Sequence, residues 1–205
     1  MYYKIKEDGI FKIDLDTFWD SGECVGVFKM TEWDNEKILW EKCGIWHTVD
    51  EIHFCKMESH RDFLYGTFQM PAKEYGKKDE LFAIYILKDR VIILSDDDSI
   101  DKNIIRISGH AIAKDYSLER FIYDFFMSFI EDELLFLQKI EHEITGIEEQ
   151  VMKEQSDKFN IGLLKLKKII ARFYHYYTQL AEAGDELAGN EEEFFTEELA
   201  SRLSV

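Results

Sequence analysis

The chain has 205 residues, of which 46% are hydrophobic and 15% aromatic, enough for one large domain or one domain with a helical appendage and too much for a disordered segment. Its 42 acidic residues against 25 basic ones give a formal charge of −17, which repels phosphate backbones and anionic lipid heads and favours cations and basic partners, so nucleic acid is excluded as a partner class. The longest apolar stretches, such as Leu81 to Leu87 and Val91 to Leu94, fall far short of the roughly 20 residues that span a bilayer, and the first residues lack the apolar core of a signal peptide, as expected of a segment facing the cytosol.

In chain order, the first half reads as short strands broken by acidic or glycine-containing turns. The candidates are Tyr2 to Lys6, Ile10 to Leu15, Val25 to Phe28, Phe63 to Met70, Leu81 to Leu87, Val91 to Ser95 and Ile104 to Ser108. Lys88-Asp89-Arg90 separates two of them by a length suited to a β-hairpin. Those two runs are apolar at almost every position, so both faces of their sheet need cover. Asp34 to Trp40 and Thr48 to Ile52 are short helical candidates for supplying it. Residues 1–112 are therefore expected to form an α/β body, a mixed sheet covered by helices.

The second half changes period. Leu118, Phe121, Ile122, Phe125, Phe126, Phe129 and Ile130 repeat at three and four, and Leu137, Ile140, Ile144, Ile147 and Val151 continue the stripe, with Ser117 placed to cap and Glu119 in the first turn. One helix over Leu118 to Val151 would be roughly 50 Å long. Glu154-Gln155-Ser156-Asp157 is a polar turn, after which Ile161, Leu164, Ile169, Ile170, Phe173, Tyr177 and Leu180 define a second helix ending near Gly184 and running back antiparallel to the first. Residues 113–189 are thus expected to form a long helical hairpin. From Asn190 a third amphipathic helix is expected, with an acidic first turn and no stop signal before Val205, so residues 190–205 read as the start of a truncated helix and the chain as part of something longer.

Catalytic motifs are missing from the sequence: there is no G-x-x-x-x-G-K-[ST], G-x-G-x-x-G, G-x-S-x-G or H-E-x-x-H, so no enzyme is predicted. Cys24, Cys43 and Cys55 are odd in number, lack C-x-x-C spacing and read as reduced thiols. Cys43, His47, His53, Cys55 and His60 supply zinc-type ligands within eighteen positions, but no spacing matches a finger or ribbon, and scattered core and surface residues are the plainer reading. Asp96-Asp97-Asp98 offers hard oxygen ligands for Mg²⁺ or Ca²⁺, against a solvated turn as the preferred reading. The run Phe173-Tyr174-His175-Tyr176-Tyr177 is expected to pack rather than stack on bases, and Glu131-Asp132-Glu133 and Glu191-Glu192-Glu193 to be solvated charge runs.

Four stretches, taken in order, resemble the cytoplasmic domain of the CorA-like magnesium and divalent-cation transporters. Gly44-Ile45-Trp46-His47-Thr48-Val49-Asp50-Glu51-Ile52 is similar to that family's Gly-Ile-His-Pro segment, which ends in an acidic pair and Ile. Lys56 to Phe68 resembles its Pro-Lys-Leu-Glu stretch leading into an aromatic strand, Phe82 to Ser95 its hairpin, and Leu118 to Val151 with Ile161 to Leu180 its two long antiparallel helices. The resemblance covers nearly the whole chain. The family's sharp signature, Gly-Met-Asn after the first membrane helix, is not within these residues.

The resemblance implies an α/β/α sandwich with a helical stalk, a homopentamer around a pore, and membrane attachment only through transmembrane helices beyond residue 205. It implies no catalysis but regulation by cytosolic Mg²⁺ or another divalent cation, held between a carboxylate of the acidic dipeptide and one on a neighbour's stalk. Asp50 and Glu51 match the dipeptide, with the segment one residue shorter and the acids in reversed order. The stalk position falls near Ala200, which has no ligand atom, and Glu197 one turn earlier is the substitute. The competing expectation is a soluble α/β protein whose helical hairpin mediates oligomerisation or partner binding.

Overall fold

The computed structural model describes the chain except residues 34, 50, 75, 111–114, 132, 153–155, 190–193 and 204–205, with backbone alone for 32, 35–36, 110, 150–152, 156–159 and 203. Seven strands are present among the described residues: β1 (Tyr2–Lys6), β2 (Gly9–Ile13), β3 (Cys24–Phe28), β4 (Lys56–His60), β5 (Phe63–Met70), β6 (Glu80–Ile86) and β7 (Arg90–Leu94). They form one sheet in the order β2-β1-β3-β7-β6-β5-β4, mixed because β3 and β7 pair in parallel while every other neighbour is antiparallel.

The apolar runs of β6 and β7 have the cause expected of them. Alternation along a strand sends Phe82, Ile84 and Ile86 to one face and Ala83 and Tyr85 to the other, and all five are buried in two separate clusters. One face is covered by α1 (Leu15–Asp20) and α2 (Asn35–Cys43), which bring Phe18 and Leu39 onto Ala83, Tyr85, Ile92 and Leu94. The other is covered by α3 (Ser99–His110), α4 (Leu118–Met127) and the C-terminal half of α6 (Ser156–Gly189). The architecture is the α/β/α sandwich. Each fully buried Phe or Ile in it contributes about 1.5–3 kcal/mol of transfer free energy.

Several sequence expectations are corrected. Ile104 to Ser108 is part of α3 rather than a strand, because Ile100, Ile104 and Ile107 are buried at three-and-four spacing and that stripe outweighs the β preference of isoleucine. Lys56–His60, with hardly any apolar residue, is the seventh strand, zipped to β5 through Glu58↔Tyr65 and His60↔Phe63. Thr48 to Ile52 is irregular rather than helical, Asp50 lying outside the described residues.

The long first helix is broken. Helix α4 ends at Met127 and α5 (Glu133–Met152) begins after a turn, where Arg106 Nη2 of α3 donates to the Ser128 carbonyl at 2.9 Å and Asn103 bonds the Ser128 hydroxyl. Helix-end carbonyls need partners, and side chains from α3 satisfy one here. Among the described apolar residues of α5 the buried one is Phe136, whose ring lies 4.4 Å from that of Phe173, whereas Leu137 is exposed. Ile147 lies 3.7 Å from the space above Gly162, so α5 and α6 run antiparallel as expected. Glu133 is buried rather than solvated, bonded by the Tyr177 hydroxyl and by Lys73 at 3.1 Å.

Helix α6 starts at Ser156 and continues through Gly184 to Gly189. Burial of Ala183 and Leu187 in the main cluster offsets the roughly 1 kcal/mol that a mid-helix glycine costs. The third helix, α7 (Glu197–Leu203), follows the non-helical residues 194–196, and the expected start at Asn190 lies outside the described residues. The Thr196 hydroxyl accepts from the Leu199 N–H and donates to Glu119 of α4 at 2.8 Å, and Leu199 and Ala200 are buried.

Asp79 ties the loop before β6 to α6. Burial pushes its carboxyl up, but Gln69 Nε2 at 2.8 Å, the Ala72 N–H at 3.1 Å and the Arg172 guanidinium outweigh that and hold it below the usual carboxylate range. A depressed carboxylate contributes stability that is present above its unfolded value near pH 4 and lost as pH falls through its folded value. Asp79→Asn should lower the urea-unfolding free energy at pH 7 by about 1 kcal/mol, a figure at the low end for charged hydrogen bonds because Arg172 is 38% exposed. The difference from wild type should close below about pH 4.

Candidate functional site

The stretch between α2 and β4 carries most of the sequence-derived candidates, and its path is fixed at both ends. Gly44 ends α2 at φ +71°, its N–H on the Trp40 carbonyl at 3.0 Å, while the Ile45 N–H reaches the Leu39 carbonyl at 3.3 Å. Ile45 is buried, and Trp46 stacks on Trp40 with ring centroids 4.6 Å apart. At the far end the Cys55 N–H donates to Gln179 Oε1 of α6 at 3.1 Å, and the Thr67 hydroxyl donates to the Phe54 carbonyl at 3.2 Å.

Of the acidic candidates, Glu51 is exposed and lies 3.3 Å from His53 Nε2, and Asp50 lies outside the described residues. Glu197 is exposed in the first turn of α7, beside the Glu198–Arg202 pair at 2.7 Å, while Leu199 and Ala200 of the same helix are buried. Ala200, the position that the resemblance assigns to a ligand, is turned into this chain's own core. Glu51 lies in the irregular segment before β4 and Glu197 at the start of α7, each exposed.

The five zinc-type residues do not converge as a set. Cys55 is buried, with its thiol donating to the Gln69 carbonyl at 3.7 Å, and Cys43 is half-buried at the end of α2. His53 sides with Glu51. Two members do meet: His47 and His60 have ring centroids 5.4 Å apart, and together with Glu58 they place one ligand atom each within 4.8 Å of one another. Glu58 was not among the sequence candidates. Two residues before His60 on β4, it shares a face with it, and the period of two would have found it had Lys56–His60 been read as a strand.

Asp96, Asp97 and Asp98 are engaged locally. Asp96 accepts from the Thr31 N–H and hydroxyl, Asp97 from the Ser99 N–H at the start of α3, and Asp98 from Lys29 at 3.2 Å. In the aromatic run, Phe173 and Tyr176 are buried and Tyr174 is exposed, as packing of one helix face requires.

A family model, the CorA-like Mg²⁺ transporter protein, matches residues 42–204. The chain belongs to the CorA-like family. Solved structures agree at the level of fold. The complete CorA magnesium transporter of Methanocaldococcus jannaschii superposes with a TM-score of 0.77 at 16% identity, covering 99% of this chain and 67% of that one. The full-length CmaX protein gives 0.74 at 12% identity, with 98% and 67% covered. The cytoplasmic domain of ZntB from Vibrio parahaemolyticus RIMD 2210633 gives 0.73 at 9% identity, with 98% and 87% covered. No curated protein sequence matches significantly. Among the described residues of this CorA-like chain, no helix is long and apolar enough to cross a membrane.

Two outcomes follow from the local geometry. Gly44→Ala should cost about 1–2 kcal/mol in urea unfolding, since a side chain at φ +71° meets the left-handed steric penalty while nothing else crowds that position. Burial pushes the Cys55 thiol up to about 11, so at pH 7.5 iodoacetamide should leave Cys55 unmodified in the folded chain and alkylate it in 8 M urea, read by peptide mass.

Proposed function

We propose that the chain is the regulatory cytoplasmic domain of a CorA-like transporter for Mg²⁺ or another divalent cation. The observation that carries this reading is the family match over residues 42–204 together with a fold match over nearly the whole chain. The domain works without catalysis, at the cytoplasmic face of the cell membrane, in a homopentamer whose membrane-spanning helices lie outside these residues.

Its mechanism follows from charge. A formal charge of −17 per copy makes neighbouring copies repel, and a divalent cation between opposed carboxylates removes that repulsion where it is strongest. Asp50 and Glu51 on one copy and Glu197 on the next are the groups proposed to hold the cation. They suit a hard cation, which takes oxygen ligands and keeps several waters. Cation binding favours the closed, symmetric arrangement, and its loss lets repulsion loosen the assembly, a population shift set by the difference in cation affinity between the two states. The hairpin of α5 and α6 supports assembly, because Leu134, Leu135, Ile161 and Leu164 are exposed apolar side chains on it.

Thermal unfolding and light scattering across a Mg²⁺ titration test this reading. Saturating Mg²⁺, at about ten times its dissociation constant, should stabilise the folded state by roughly 1.4 kcal/mol per site or raise the mean mass. The triple variant Asp50→Asn, Glu51→Gln, Glu197→Gln should lose both responses. A wild-type chain whose mass and melting temperature ignore millimolar Mg²⁺ would refute the proposed regulation.

A further inference from the structure

We infer that His47, Glu58 and His60 form a three-ligand site for a borderline transition-metal ion, Zn²⁺ by chemistry, separate from the acidic groups proposed to hold Mg²⁺. Nothing in the reading of the chain as a cation-regulated domain requires this site.

The ligand atoms are already gathered, each within 4.8 Å of the other two. His60 Nε2 is sealed from solvent, makes no hydrogen bond among the described residues, and lies 3.7 Å from Glu58 Oε2. That separation is too long for a hydrogen bond and close to the roughly 3.4 Å between two ligands that sit about 2.1 Å from a tetrahedral ion. A buried imidazole nitrogen without a partner carries a desolvation cost, and an ion at this point relieves it.

The frame around the ligands is rigid. His60 stacks on Phe63, ring centroids 4.5 Å apart with planes 19° from parallel, and β4 fixes Glu58 two residues away on the same face. The His47 ring lies 4.3 Å from that of Tyr65, and His47 Nδ1 is 3.1 Å from the hydroxyl of the fully buried Tyr85. A ligating histidine binds through one ring nitrogen and hands its other N–H to an oxygen that sets its orientation. With the proton on Nδ1, His47 donates to Tyr85 and presents Nε2 to the ion. Lys56 sits 2.8 Å from Glu58 Oε1, so the carboxylate meets the ion through Oε2 and the ammonium charge weakens the site somewhat.

Two imidazoles and one carboxylate select Zn²⁺ over Mg²⁺, because nitrogen ligands suit borderline metals and hard cations take oxygen. Three protein ligands leave the fourth tetrahedral corner to water. The partial exposure of the Glu58 and His60 side chains gives the ion a path in.

Calorimetric titration of the 205-residue chain with Zn²⁺ tests the site. One equivalent should bind, undisplaced by millimolar Mg²⁺. His60→Gln and Glu58→Gln should each weaken binding at least tenfold, and Tyr85→Phe, which removes only the orienting oxygen, by roughly 10–100-fold. The wild-type chain loaded with Co²⁺ provides a readout independent of any variant's folding: tetrahedral visible bands should appear without a thiolate charge-transfer band. Absence of saturable Zn²⁺ binding, unchanged affinity in both His60→Gln and Glu58→Gln, or a thiolate band placing the ion on cysteine would each overturn the site.

Discussion

Everything in this molecule depends on a sheet that is buried on both sides. β6 and β7 have no face that water can wet, so Phe82, Ile84 and Ile86 must be covered from one side and Ala83, Tyr85, Ile92 and Leu94 from the other. The second face is covered by two short helices and by the segment that follows them, through Ile45, Val49 and Ile52. The first face takes α3, α4 and a long stretch of α6, and this demand explains why the second half cannot be a free-standing hairpin. Phe173, Tyr176, Ala183 and Leu187 hold α6 against the body while its other face stays in solvent.

The same demand shapes the segment that carries the candidate ligands. Leaving α2 through Gly44, the chain must cross the second face of the sheet before entering β4 at the edge. It does so as irregular backbone pinned by the buried side chain of Ile45, by His47 over Tyr65 and Tyr85, and by the Cys55 N–H on Gln179. Histidine thus lies over aromatic rings while Glu51 a few residues on is exposed to solvent. The segment and the strand that follows it bring His47 to Glu58 and His60, while Glu51 pairs with His53.

Legibility in the sequence followed the strength of local patterning. The strands with alternating or continuous apolar runs, the β6–β7 hairpin, the Ser117 cap of α4 and the antiparallel pairing of α5 with α6 were all readable, because each is written in residues close together in the chain. Lys56–His60 was not readable as a strand, since its pairing with β5 supplies what its own side chains lack. The break between α4 and α5 was hidden because the apolar period runs across it, and the bonds from Asn103 and Arg106 that support it come from a different helix. Gly184 misled for the converse reason: its local cost is real and packing overrides it. In the candidate site, the acidic dipeptide and Glu197 were named from resemblance, whereas Glu58 became visible only once β4 had a face.

The sequence by itself determined the fold class, the acidic surface, the absence of familiar catalytic motifs and the order of elements that marks a CorA-like chain, because composition and period are local properties. Only the tertiary structure decided which acids and histidines share space, that Ala200 faces the chain's own core, and that His47, Glu58 and His60 meet while Cys43 and Cys55 stand apart. Those facts depend on strand register and on which helix covers which face, and both are set by contacts between residues far apart in the chain.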